Sequence, residues 1–156
     1  MWQRIQTIFM ALTAILMIAS IFVPIWEKSG EEQRVTLTAL EISYVRATDT
    51  APETTTTVYL AVLAGLVALL SSYAILSFKN RMLQIRLNAI NSFFIALFVG
   101  LSFYWIYTAE DWFRPGDHGS YLTGTYLPLI ALISTILASR FIKKDEQLVR
   151  SMDRLR

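Results

Sequence analysis

The 156-residue chain contains no cysteine and a single histidine. The first absence excludes disulfides, thiolate zinc or iron–sulfur sites and quinone-linked dithiol chemistry, so four-span thiol oxidoreductases of similar size are ruled out. The second leaves His118, beside Asp117, with neither a second imidazole nor a thiol, a poor ligand set for a metal. Charge is scarce too. Charged residues make up 17% and the net charge is +2, so bulk electrostatics give nucleic-acid binding no support. Four stretches, 5–26, 58–78, 87–107 and 121–139, carry no formal charge at all. Proton relays, ion paths and voltage sensors need ionisable groups at membrane depth, which argues against a pump or proton-coupled transporter.

What the chain has instead is apolar length. Hydrophobic residues make up 54% and the mean hydropathy is +0.46, too apolar for a soluble domain of this size. Each uncharged stretch approaches or exceeds the roughly 20 residues a helix needs to cross a hydrocarbon core. The first run is longer than a signal-peptide core and ends without a small-x-small site, so an uncleaved span is expected. Pro24 loosens its outer end and Trp26 suits the headgroup level. Between the second and third stretches lies a short basic island, 79–86, with Lys79, Arg81 and Arg86 and no acid.

The polar segment 27–57 holds two runs, Val35 to Thr38 and Ile42 to Val45, that alternate at period two and break parity between Ala39 and Glu41. This predicts a small β-hairpin in the first outer loop. The second outer loop, 108–120, carries Glu110, Asp111, Asp117 and His118 and reads as a solvated acidic loop bordered by interfacial aromatics such as Trp105 and Tyr126. Small residues at four-residue spacing in 58–78, and Ala96 with Gly100 in the third stretch, predict close helix contacts. Asn88 and Asn91 are read as an internal clasp or headgroup contact.

Charge placement sets the orientation. With both chain ends and the island on one side, that side holds ten bases against three acids, and the other four bases against nine acids. Under the positive-inside rule both ends lie in the cytoplasm. Beyond Ser139 the apolar Phe141, Leu148, Met152 and Leu155 share a helical stripe, and Glu146 and Arg150 form an i, i+4 pair. The expected fold is therefore an all-α membrane protein. It is a four-transmembrane-helix bundle with a small β-hairpin in the first extracytoplasmic loop and a cytoplasmic amphipathic C-terminal helix over 140–156.

Three motifs resemble a family of small bacterial inner-membrane proteins with four predicted spans, known as a domain of unknown function. They are the opening Gln3, Arg4, Ile5, Gln6, the central Lys79, Asn80, Arg81 with Leu83, Gln84, Ile85, Arg86, and the end. The end runs Lys144, Asp145, Glu146, then Leu148, Val149, Arg150, Ser151, then Asp153, Arg154, Leu155, Arg156. Asn88 stands where relatives often have a small residue such as cysteine. The resemblance implies the same architecture and brings no catalytic residue, cofactor or partner. A looser topological analogy exists with tetraspan and junction proteins that have a β-rich first outer loop.

Function is read as non-enzymatic partner binding at the inner face, through Asn80, Arg81, Gln84 and Arg86 with Leu148, Arg150, Met152, Arg154 and Leu155 of the tail. Besides the lipid bilayer, the expected partner is a membrane or cytoplasmic protein; no nucleic acid and no cofactor is implied. The alternative is lipid or small-molecule handling in a pocket of Arg86, Asn88 and Asn91, and a third class is an outer-face enzyme using Asp117 and His118. The absence of native cysteine makes the orientation directly testable. Single cysteines placed at Lys79 and at Arg156 are expected to react with an impermeant thiol reagent from the same side of the membrane, and labelling from opposite sides would refute the assignment.

Overall fold

The structure, a computed structural model, describes residues 2–30, 33–46, 52–78, 80–110 and 119–153, and the backbone alone for 2–4 and 148–153. In chain order the elements are α1 (Trp2–Phe22), β1 (Trp26–Ser29), β2 (Gln33–Leu37), β3 (Glu41–Arg46), β4 (Glu53–Thr56), α2 (Val58–Leu76), α3 (Arg81–Glu110), β5 (Gly119–Tyr121) and α4 (Thr123–Asp153). All four helices are long and apolar enough to cross a membrane. Their outward faces present Ile8, Ile15, Phe22, Leu69, Phe93 and Ile133, an apolar surface that water would not tolerate on this scale.

The helices close into a ring in which α1 packs on α2 and α4, and α3 packs on α2 and α4. Pro24, which cannot continue a helix, follows the end of α1 at Phe22. The remaining proline inside a helix, Pro128, falls in the second turn of α4.

The expectation of an all-α bundle with one hairpin is overturned. One end of the bundle carries a five-stranded antiparallel sheet in the order β4-β3-β2-β1-β5. The anticipated hairpin is its centre, β2 paired with β3 through Leu37↔Ile42 and Val35↔Tyr44. Its turn is closed by Thr38, whose Oγ1 donates to Glu41 O at 2.8 Å and accepts from Glu41 N at 3.1 Å. The remaining strands are short, three or four residues each, and β4 is exposed along its whole length. They form because flanking chain pairs across loops, β5 reaching β1 from the second loop through Trp26↔Tyr121.

Alternation places Trp26, Val35, Leu37, Ile42 and Tyr44 on one buried face. Together with Met17, Leu60, Val67, Ile95, Phe98 and Ile106 they build one apolar core across the sheet and the near half of the bundle. A smaller cluster of Met10, Ala74, Leu87 and Ala138 fills the far half. On the sheet Arg34 pairs with Glu27 at 2.9 Å, and the guanidinium bond holds the Glu27 carboxyl below its ordinary range despite partial burial.

Backbone bonds weld sheet to helices. The β2–β3 turn caps α2, with Thr57 N donating to Leu40 O at 2.9 Å and Ala61 N to Ala39 O at 3.2 Å. The chain between α1 and β1 receives α4, since Gly124 N donates to Pro24 O at 3.1 Å and Thr125 Oγ1 to Ile25 O at 2.5 Å.

The helical tail is the continuation of α4 to Asp153, with no breaker after Pro128, so it extends the fourth span rather than forming a separate amphipathic helix. A Cβ at Gly124 would fall 2.6 Å from Pro24 O, a backbone atom with no room to yield, whereas one at Gly65 meets nothing within 4 Å. Gly124→Ala is therefore expected to destabilise the fold by about 1–3 kcal/mol. Gly65→Ala is expected to be tolerated, and thermal unfolding in detergent checks the pair.

Candidate functional site

At the end of the bundle away from the sheet, α2 ends at Leu76 and α3 begins at Arg81. Asn80 caps α3, its Oδ1 accepting from Leu83 N at 3.1 Å, as a helix-starting asparagine does. One residue on, Arg81 Nη2 lies 3.1 Å from Asp145 Oδ2 of α4. The pair is held by proximity of charge, because no N–H among the described residues is aimed at that oxygen. Both side chains are largely shielded, 24% and 17% exposed, so the ion pair is less screened than a surface one. Arg86 on α3 and Arg140, Lys143 and Lys144 on α4 are exposed. Arg86 follows the basic turn directly on the outward face, in line with Met82, Ile90 and Phe93.

Gln84, Asn88 and Asn91 stand at i, i+4 and i+7 on the inward face of α3, each 1% exposed or less. Gln84 Nε2 donates to Ala74 O of α2 at 2.8 Å, and Asn91 Nδ2 donates to Ser71 Oγ of α2 at 2.9 Å. Across the bundle Thr13 of α1 and Thr135 of α4 sit 3.1 Å apart, one hydroxyl donating to the other.

The Thr13–Thr135 and Asn91–Ser71 contacts form a single stratum, with the Gln84 bond about two turns further along, level with Ala74 of the far cluster. On α1 Thr13 falls between Met10 and Met17, on α2 Ser71 between Val67 and Ala74, on α3 Asn91 between Leu87 and Ile95, and on α4 Thr135 between Ala131 and Ala138. Each helix thus contributes at least one buried polar side chain between the two apolar cores, with Asn88 on α3 and Ser134 on α4 as further ones. Among the described residues, three amide atoms along this face of α3, Gln84 Oε1, Asn88 Nδ2 and Asn91 Oδ1, have no hydrogen-bond partner.

The inner-face residues expected to act together are distributed as follows. Asn80 is consumed in a cap, Gln84 is buried and bonded to α2, Arg81 is paired, and Arg86 is exposed. Leu148, Arg150 and Met152 lie on the last turns of α4, described by backbone only, while Lys79, Asp117, His118, Arg154 and Leu155 lie outside the described residues. Arg86 points away from Asn88 and Asn91, so these three do not converge on one pocket. Sequence reasoning missed Thr13, Ser71, Thr135 and the Arg81 to Asp145 contact. The first three were detectable as small polar residues with apolar ones a turn away on both sides, although Ser72 and Ser134 beside two of them blur the signal.

The arrangement defines a four-helix bundle of membrane-crossing length and apolarity, capped at one end by an antiparallel sheet and layered with polar groups in its interior. The chain belongs to the family described as a domain of unknown function (DUF4293), which matches residues 2–155. No curated protein matches it.

Thr13→Val and Thr135→Val, singly and together in a double-mutant cycle of detergent-phase stability, are expected to show a coupling of about 0.5–1 kcal/mol. Additivity within error would remove the bond from the account.

Proposed function

We propose that this chain is a non-enzymatic accessory protein of a bacterial cytoplasmic membrane, with both ends in the cytoplasm, that docks an acidic protein partner on its basic inner face. The observation that carries the reading is the ion pair between Arg81 and Asp145, which locks the α2–α3 turn to the inner part of α4. That lock fixes, on adjacent helices at one end of the bundle, the exposed Arg86 together with Arg140 and Lys143. The charge asymmetry of the sequence supports the orientation, since bases concentrate at this end and acids in the segments next to the sheet. Stretches without formal charge support a role outside ion or proton transport. A basic surface of this kind speeds and orients encounter with an acidic partner more than it adds affinity.

Affinity purification of the full chain after mild solubilisation is expected to recover a stoichiometric partner. Arg86→Glu combined with Arg140→Glu and Lys143→Glu is expected to lose it, as is truncation at Lys143. Equal recovery from the charge-reversed and unaltered proteins, or recovery of nothing, would overturn the proposal.

A further inference from the structure

The inward face of α3 holds more hydrogen-bonding capacity than the protein uses. Gln84 spends its amide nitrogen on Ala74 O and Asn91 spends its own on Ser71 Oγ, which leaves Gln84 Oε1 and Asn91 Oδ1 as open acceptors. Between them on the same helix face stands Asn88, whose Nδ2 is an open donor. All three residues are almost completely enclosed, at 1%, 1% and 0% exposure. The bond to Ala74 O, which only an amide nitrogen can make, fixes Gln84 Oε1 as its open atom, and exchanging oxygen and nitrogen in Asn91 changes which atom is open, because Ser71 Oγ can donate or accept. Orphaned groups inside a bundle of this apolarity are costly, and three along one face form a pattern rather than an isolated defect.

We infer that Gln84, Asn88 and Asn91 form an internal binding site for a small neutral molecule that both accepts and donates hydrogen bonds. The occupant accepts from Asn88 Nδ2 and donates to Asn91 Oδ1 or Gln84 Oε1. It is neutral because Asn88 and Asn91 lie in 87–107, which carries no formal charge, and Ser71, which meets Asn91, is a hydroxyl that cannot balance one. Water has this chemistry and so does a small amide; a buried water making about three such bonds is the ordinary solution to an arrangement of this kind. The sheet-side core of Met17, Val67, Ile95 and Ala131 closes the stratum on that side. The site is separate from the basic face, since Arg86 points outward from the same helix.

Nuclear magnetic resonance of the isotope-labelled full chain in micelles tests this. The side-chain amide protons of Asn88, identified by their loss in Asn88→Leu, are expected to show a direct cross-relaxation peak to a long-lived water. If the resident is instead a small amide, titrated acetamide is expected to shift the Gln84, Asn88 and Asn91 signals saturably and to remove the water peak. Asn88→Ser, which replaces the amide with a hydroxyl that can still donate and accept in a smaller side chain, is expected to retain a bound water near Asn91 should the leucine variant fail to fold. Absence of a water peak together with absence of saturable acetamide shifts, or a peak showing Asn88 Nδ2 bonded directly to a protein acceptor, would overturn the site.

Discussion

Hydrogen bonds between helices whose outer faces are apolar are the constraint on which this architecture depends. In an apolar medium a polar side chain finds its partner inside the protein or not at all, so the bonds from Thr13 to Thr135 and from Asn91 to Ser71 fix which turns lie opposite each other. Leucine-like packing alone tolerates sliding by a turn, because one apolar side chain serves nearly as well as the next. A hydroxyl or amide does not, and a shift of one turn would bury it against Val67, Ile95 or Ala131. The net energy per bond is modest, and the contribution is to register more than to stability.

The sheet supplies the complementary constraint at the other end. It draws its strands from both segments that leave the bundle there, and carbonyls of its turns and flanking chain accept the hydrogen bonds that helix starts leave open. Leu40 and Ala39 carbonyls cap α2, and Pro24 and Ile25 carbonyls receive the start of α4. Gly119 and Gly124 are the points of closest approach, since a Cβ at either would run into Trp26 or Pro24. The β1–β5 pairing therefore ties the third and fourth helices back to the first, and the buried face of the sheet seals the larger core. A polar stratum thus sets helix register and a sheet sets helix ends, while Arg81 and Asp145 hold the start of α3 to α4 at the far end.

The helices and the central hairpin were legible because they depend on local pattern: long uncharged runs, and period-two alternation at Val35 and Ile42 with a parity break at the turn. The outer strands were not. Glu53 to Thr56 has no buried face, and Gly119 to Tyr121 is three residues long; each exists through pairing with chain that is distant in sequence, which periodicity does not encode. Trp26 read as an interfacial anchor but sits 1% exposed inside the sheet core, because the helix stops at Phe22 and the strand begins before the aromatic can reach an interface. Asn88 and Asn91 were visible as polar residues in an apolar run, yet their depth and their partners depend on the opposing helices. Ala96 and Gly100 looked like a contact face; Gly100 instead has nothing within 4 Å of its Cβ position.

The chain's freedom from cysteine allows the register to be read directly by paired substitution and oxidation. Thr13→Cys with Thr135→Cys, and Ser71→Cys with Asn91→Cys, are each expected to form an intramolecular disulfide in membranes. Thr13→Cys with Ile142→Cys, about two turns further along α4, is expected to form none. Failure of both matched pairs in a folded protein, or preferential linkage of the displaced pair, would contradict the account that one polar side chain from each helix meets in a common layer.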